Sequence, residues 1–500
     1  MTPEALRAQF DVLAEAPNGV EKLRELVLRL AFQGRLLGEP STRVSDGLPN
    51  GWAWRTVGDL ANAIDSGFAC NKQNEVADGY VHLRTHNVGT DGRLNFDLVV
   101  RIAPDRVHPE RARLQAGDVL FNNTNSQELV GKTCLVDRDY EYGFSNHLTR
   151  VRVSDAVAPG YLVRYFNLLL RTGYFASYCN RWIGQAGINS KMLREVTIPV
   201  APIAEQRRIL AKVDELMALC DELEAQQQRR AEARVRANRS VLHHLVEASG
   251  DEALAAGWER LRENFGVLYD APEPLAELRQ SVLQLAVRGK LVPFDAASCT
   301  APLGEVLAES SLNGIATKPH DGPTGTPILR ISAGTARRDG IVEESDHKFL
   351  DLDAASIDTY ALRPGDLLAC RFNGNLRFVG RMSLYTGASG ATQVYPDKLI
   401  RYRVAPDRAD PAYVRHVFNA PDTRRLIEAE CATTAGNIGI SAERLRTIPI
   451  PVPSLIEQRR TIARIDAIMA LCDRLDAQLT HARERSARLA DSVVHRLTAA

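Results

Sequence analysis

The stretch Ser126 to Thr133, SQELVGKT, ends in the Gly-Lys-Thr that closes a phosphate-binding loop. Such a loop has the form G-x-x-x-x-G-K-[ST], in which glycine lets backbone N–H groups turn onto phosphate oxygens. Here Ser126 replaces the first glycine, and the related stretch later in the chain reads Gly380-Arg381-Met382, so the phosphate reading fails in both places. His82 and His86, in HLRTH, lack the neighbouring glutamate of a metalloprotease helix, and a structural or ligand-contacting role is expected for them. His243-His244 falls on a long helical pattern as a partly exposed pair, and Glu343-Glu344 are surface-like carboxylates. The chain has no G-x-G-x-x-G nucleotide turn and no Asn-Pro-Pro-aromatic or Asp-Pro-Pro-aromatic motif of an adenine amino-methyltransferase. No residue makes a persuasive nucleophile or general base, so the chain reads as a binder rather than a catalyst.

The elements that carry these residues come twice. AEQRRILAKVDELMALCDELEA from Ala204 returns as IEQRRTIARIDAIMALCDRLDA from Ile456, an offset of 252 in a chain of 500 residues. The same offset relates IPV at Ile198 to IPV at Ile450, and Ile188-Asn189 to Ile440-Ser441. A second block, FDVLAEAPNGVEKLRELVLRLAFQGRLL from Phe10, returns at an offset of 255 as FGVLYDAPEPLAELRQSVLQLAVRGKLV, with Gly34 against Gly289. Between the blocks the halves agree only in outline: LQAGDVLF at Leu114 answers LRPGDLLA at Leu362, and LVGKT at Leu129 answers FVGRM at Phe378. A repeat of this size governs the architecture. One frame built twice around two different inserts is the pattern of a frame that does one job twice while each insert does its own.

Five hundred residues exceed one ordinary core, and the repeat already divides the chain into halves of domain scale. The hydrophobic share of 45% and charged share of 25% are those of a globular chain, with neither a membrane span nor a signal peptide, which places it in the cytoplasm. Eight scattered cysteines without a C-x-x-C pair suggest neither disulfides nor zinc and are expected to be reduced and structural. Lys plus Arg equals Asp plus Glu, 62 each, so polyanion binding has to come from local arrangement rather than bulk charge.

Ile209, Val213, Leu216, Cys220 and Leu223 are spaced four, three, four, three, the seam of a coiled coil. The second copy gives Ile465, Ile468, Cys472, Leu475, Leu479 and Ala482, with Leu489 and Val493 further on. Each helix would span roughly 65 Å, too long for one small domain to bury, so the two are expected to pack on each other. The proline-rich IPVAPIAEQ and IPIPVPSLIEQ are expected to stop a strand and lead into the helix. Shorter helices over 20–34 and 275–289 end at glycine. Short alternating strands in VHLRTHNVGTDGRLNF, AGDVLFNN and LIRYRV make the inserts α/β. The expected order is an N-terminal helical segment (1–39), a domain over 40–197, and a central helical region over 198–296. That region holds a long helix at about 203–247, a linker and the short helix at 275–289. A second domain over 297–449 and a C-terminal long helix over 450–500 complete the chain.

LRELVLRLAFQGRLL and LRQSVLQLAVRGKLV, the two proline-rich segments with the helices after them, and LPNGWAWRTVGDL at Leu48 resemble the DNA specificity subunit of type I restriction-modification systems. The resemblance covers nearly the whole chain, and the blocks are specific in this order and in duplicate. It implies an α/β fold with two globular target recognition domains, joined by two long antiparallel coiled-coil helices in an internal pseudo-twofold repeat. It also implies a non-catalytic subunit that reads a split sequence in double-stranded DNA, one half per domain. Two methyltransferase subunits would dock on the twin helices, carrying S-adenosylmethionine for adenine N6 methylation. Restriction/motor subunits using ATP with magnesium can join, and no cofactor is expected in this chain.

Base reading asks for arginine opposite guanine and asparagine or glutamine opposite adenine, with other cations on phosphates. In the first domain the candidates are Arg84, His86, Asn87, Asn122, Asn123, Asn125, Gln127 and Lys132; in the second, Arg330, Arg371, Asn373, Asn375, Arg377 and Lys398. The alternative is that such Asn/Gly clusters are solvated turns. Glu205-Gln206-Arg207-Arg208 and Glu457-Gln458-Arg459-Arg460 offer a docking role or a local capping role, and the structural one is favoured. A scaffold without DNA binding, supported by the neutral charge, and an enzyme with an unrecognised site are the competing functions. The clusters predict that Asn373→Ala combined with Arg377→Ala weakens or alters one half of the recognised sequence and spares the other, as read by methylation mapping; two unchanged halves would remove that loop from base reading.

Overall fold

A computed structural model describes residues 12–38, 47–107, 113–322, 324–335, 337–434 and 437–499. Residues 1–11 of the N-terminal segment and the expected boundary at 39–40 lie outside the described residues. The chain divides into two compact units, Met1–Arg229 with Ala482–Ala500, and Arg230–His481. The frame helices are α1 (Gly19–Phe32), α2 (Pro159–Arg171), α3 (Ile203–Glu247), α4 (Leu275–Val287), α5 (Pro411–Asn419) and α6 (Leu455–Ala499). Both long helices pass from one unit into the other.

In the first unit, β1 (Ala53–Thr56) leads into a four-stranded antiparallel sheet of β2 (Ala61–Ser66), β4 (Val119–Asn122), β6 (Thr133–Leu135) and β7 (Leu148–Val153), in the order β2-β7-β4-β6. β3 (Glu75–Leu83) lies outside that sheet. Alternation along β4 divides the interior. Val119 and Phe121 join Tyr161 and Phe166 of α2 and Ile209 and Val213 of α3. Leu120 points the other way, to Leu83, Val136, Phe144 and Leu148. A small three-stranded sheet of β5 (Thr124–Asn125), β8 (Asn180–Trp182) and β9 (Gln185–Gly187) follows, and β10 (Thr197–Val200) returns to pair with β1.

The second unit repeats the plan. β11 (Thr300–Pro302) precedes a sheet of β12 (Leu312–Asn313), β14 (Leu367–Cys370), β16 (Met382–Leu384) and β17 (Leu399–Tyr402), ordered β12-β17-β14-β16. β13 (Thr326–Leu329) stands apart, β15 (Phe372–Asn373) pairs with β19 (Asn437–Gly439) beside β18 (Ala432–Thr434), and β20 (Pro449–Pro451) closes on β11. Leu367 and Ala369 face Tyr413, Phe418 and Ile465 of the frame, while Leu368 and Cys370 face Leu329, Tyr395 and Leu399.

Repeated residues explain the repeated geometry. Arg35 N–H reaches Leu30 O and Gly34 N–H reaches Ala31 O; Lys290 and Gly289 do the same to Leu285 and Ala286. Gly34 and Gly289 hold φ of 69° and 68°, left-handed values that glycine adopts without strain at a helix end. Asn189 and Ser441, matched by offset, each cap a short helix by accepting from Met192 N–H and Arg444 N–H. In the first unit Arg24 of α1 pairs with Asp221 (2.7 Å) and Glu224 (2.8 Å) of α3. In the second, Arg279 of α4 pairs with Asp473 (2.6 Å) and Asp476 (3.7 Å) of α6, each residue at its repeat offset. Gln33 Nε2 donates to Thr498 O in the first unit, and Arg288 Nη1 to Val246 O in the second.

Direction follows from the same contacts. From Ala14 through α1 to its cap Gln33, Ala14 and Arg24 meet Gln227 and then Asp221, while Lys22 and Gln33 meet Ala487 and then Thr498. The local segments of α3 and α6 therefore run antiparallel.

Two expectations are corrected. The IPV segments do not merely stop a strand; they are strands β10 and β20 in two-stranded pairs, where a proline's missing N–H is tolerated at an edge. The long helices do not share one continuous seam. Ile209 and Val213, like Ile465, are buried in a globular core, and only further along do Cys220 and Leu223 meet Ala490 and Val493. Leu489 is 53% exposed because the seam passes through Ala490, Val493 and Leu497 instead. In the second unit Leu242, Leu245 and Val246 share a core with Cys472, Leu475 and Leu479.

Gln206 and Gln458 are fully buried and make the same three bonds. Gln206 accepts from Ala158 N–H and donates to Ala156 O and Ala201 O; Gln458 accepts from Asp410 N–H and donates to Arg408 O and Pro453 O. Replacing Gln206 with alanine strands buried backbone groups and should lower stability by about 2–4 kcal/mol. Urea unfolding followed by tryptophan fluorescence should show this midpoint drop, with Arg207→Ala, on the exposed face, near wild type; equal effects would remove the clamp from the account.

Candidate nucleic-acid interface

The candidates of the first domain gather around β5, but most are turned inward. Asn87 is fully buried: its Oδ1 accepts from Arg84 N–H, and its Nδ2 donates to Asn95 O and Leu98 O, all at 2.8 Å. Asn122 is also fully buried, its amide nitrogen reaching Thr124 O (2.9 Å) and His147 O (3.3 Å). Lys132 is 8% exposed and donates to Thr85 O at 3.0 Å, and burial holds its ammonium below the ordinary lysine range. These three are corrected from base contacts to structural residues, since a buried polar group already satisfied has nothing to offer a base. Lys132 instead ties residues 84–87 to the loop after β5.

The remaining residues of that group are more accessible. Asn123 donates to Asn146 O and Thr149 Oγ1 and is half-buried, Asn125 accepts from Ser126 N–H, and Gln127 donates to Ala176 O. Arg84 reaches Cys70 O and Glu75, and His86 is exposed with one ring nitrogen on Leu98 O. The SQELVGKT stretch is a turn closed on its own carbonyls: Val130 N–H meets Ser126 O and Gly131 N–H meets Asn122 O. His82 is fully buried with Nε2 on Phe68 O, and burial with Arg84 nearby pushes its pKa down to about 4. Among the described residues, no three or more His, Cys, Asp or Glu side chains converge as a metal site would need.

The second domain presents its candidates more openly. After β15, Asn375 N–H bonds to Asn373 Oδ1 and Arg377 N–H to Asn375 Oδ1, two successive side-chain turns that expose the loop tip. Arg371 lies 4.7 Å over the Phe372 ring, and Arg377 lies 5.7 Å over Phe378. Arg371 N–H bonds to Lys398 O, which brings exposed Lys398 to the same place. Arg330 sits elsewhere, half exposed beside Asp346 and Asp321 at 3.6 and 3.8 Å. Arg381 answers Lys132: it donates to Thr335 O and Arg337 O and so pins the neighbouring loop. The run from Arg371 to Arg381 holds three arginines and no acid, a local field that the neutral total hides.

Sequence reasoning missed the residues that place these loops. Asp118, 2% exposed, accepts Arg152 at 2.7 Å, and Asp366, also 2% exposed, accepts Arg403 at 2.8 Å, each just after a Gly of the matched LQAGD and LRPGD turns. The shared Gly-Asp was the available signal. The β8–β9 hairpin was also missed, although Gly187 and Gly439 stand at the repeat offset of 252.

Residues 49–233 match the family described as Type I restriction modification DNA specificity domain. The EcoKI specificity subunit of a type I restriction enzyme from Escherichia coli (strain K12) is 26% identical over 464 residues, covering 89% of this chain and 88% of that protein. The EcoEI specificity subunit from Escherichia coli is 23% identical, covering 95% and 93%. Over nearly its whole length the chain is similar to specificity subunits of type I restriction enzymes. A chain solved in work on complex assembly and conformational transition of the type I R-M system shares the fold, with a TM-score of 0.58, 18% identity, and coverage of 90% of this chain and 98% of that one. The similarity to these specificity subunits thus extends well past the matched first half.

The buried His82 sets a pH dependence. Its folded pKa of about 4 lies below the ordinary 6.5, so as pH falls the unfolded chain takes up the proton first. Stability present above about pH 6.5 is then lost progressively toward pH 4, by up to about 3 kcal/mol. Urea midpoints at about pH 7.5 and pH 5 should differ accordingly, and His82→Gln should flatten the difference; an undiminished slope would assign it to other groups.

Proposed function

We propose that this chain is the sequence-specific DNA-binding subunit of a type I restriction-modification complex, directing a methyltransferase and endonuclease to a bipartite sequence. Each globular domain reads one half-site. The observation that carries this is the pair of like frames holding unlike loops at equivalent strands: NNTNSQ after β4 and RFNGNLRF after β14. Two readers of different half-sites need one scaffold and two surfaces. The domain reading the second half has Arg371, Asn373, Asn375, Arg377 and Lys398 available; the first has Arg84, His86, Asn123, Asn125 and Gln127.

In this reading the long helices set the spacer and dock two methyltransferase subunits in equivalent ways, since repeated surfaces bind the same partner twice. Arg207, Arg459 and Arg460 lie on the exposed face, where such partners could reach them, whereas Gln206 and Gln458 serve the fold. The chain itself is non-catalytic. S-adenosylmethionine would be held by the methyltransferase subunits, and ATP with magnesium by restriction/motor subunits. The complex would act in the cytoplasm; among the described residues, no helix is long and apolar enough to cross a membrane.

Mapping N6-methyladenine across the genome in cells with and without this chain, the methyltransferase subunit left intact, tests the reading. Loss of one split motif, two defined halves around a fixed spacer, is the expected result. An unchanged methylome, together with no salt-dependent mobility shift of motif-containing duplex by the reconstituted complex, would leave the scaffold reading in its place.

A further inference from the structure

The first domain's amide cluster is largely spent on its own backbone, yet the adjoining hairpin is not. Its root is buried: Ala186 and Cys179 belong to the core, and β9 pairs with β5, Ala186 opposite Asn125 and Gly187 opposite Thr124. Its tip projects, with Trp182 61% exposed and Ile183 completely exposed. The turn Ile183-Gly184 is narrow, Gly184 holding φ of 78°. Such a tip stands out because burying tryptophan is among the strongest apolar gains a chain can make.

The tryptophan is also seated. A Cβ on Gly187 would lie 2.8 Å from Trp182 Cζ3, so the indole rests on a glycine bed in its own hairpin. In the second domain the matching Gly439 is covered instead by Phe372, whose Cδ1 would lie 2.3 Å from such a Cβ. That ring comes from β15 and carries Arg371 above it. The equivalent platform thus holds a different aromatic from a different strand in each domain.

Charge and continuity name the occupant. The hairpin itself, Asn180 to Gly187, carries Arg181 and no acid. Arg181 and Gln127 both donate to Ala176 O, which joins the hairpin to the loop after β5. We propose that the Trp182–Ile183 tip is a base-contacting element of the first domain, an apolar wedge laid against the bases of duplex DNA with Arg181 facing a phosphate. Apolar side chains on a narrow projection beside an arginine suit a groove, where they contact or part base steps while the cation holds the backbone. This deepens the DNA-reading function above and rests on it.

Trp182→Ala, Trp182→Phe and Ile183→Ser, each in the full chain with its methyltransferase subunits, test the proposal by methylation mapping and by affinity for motif-containing duplex. Trp182→Ala should weaken binding roughly tenfold and relax positions in one half-site only, with Trp182→Phe intermediate. Chain abundance and methyltransferase co-purification should stay at wild-type level, which a merely structural role would not allow. Should Trp182→Ala fail to accumulate, Ile183→Ser decides, since a completely exposed side chain cannot support the fold. Unchanged motif and affinity in Ile183→Ser and in whichever Trp182 variant accumulates would overturn the proposal. If deleting the whole chain left the methylome unchanged, the DNA-reading function itself would fall, a distinguishable result.

Discussion

A single buried glutamine fixes each globular core to the start of its long helix. Gln206 and Gln458 each bond three backbone groups, two on the segment before the domain's frame helix and one just beyond the strand that leads into the long helix. Those backbone groups are irregular, without a helix or sheet ladder to satisfy them, so the side chain has to do it. The first turns of α3 and α6 are thereby held in the cores beside them, and the sheet that packs on those turns takes its orientation from the same point. The loops after β4 and β14 inherit that orientation.

Each sheet separates two apolar layers with different obligations. One layer faces the frame helices and is built from matched residues, such as Tyr161 and Tyr413, at constant offset. The other closes beneath private loops and only needs bulk, so Leu120, Cys134 and Phe144 serve one domain and Leu368, Tyr385 and Tyr395 the other. Conserving one layer while freeing the other lets loop chemistry change without disturbing the frame. Arg152 with Asp118, and Arg403 with Asp366, sit at the turn where the sheet's shared and private regions meet.

The polar clusters were visible in the sequence, but their direction was not. Asn87 and Asn122 have the composition of base readers and act as internal clamps, because the carbonyls of Asn95, Leu98, Thr124 and His147 lie within reach. Lys132 and Arg381 each hold a neighbouring loop by its carbonyls rather than facing solvent. Asn373, Asn375 and Arg377 follow a different course: their local turns leave the tip in solvent. The most exposed aromatic of the first domain, Trp182, lies outside every cluster that composition suggested, since a lone tryptophan ordinarily reads as core.

The repeat, its offsets, four of the six frame helices and the glycines that end the short ones were determined by sequence alone, because a duplicated frame leaves the same apolar spacing and the same caps at a fixed distance along the chain. Tertiary structure decided three things. It showed that each long helix serves successive cores rather than one seam, that IPV forms a strand, and which asparagines are spent. The physical reason is common to all three: each depends on which distant backbone groups come within hydrogen-bonding or packing distance, and that is a property of the closed fold, not of any local pattern.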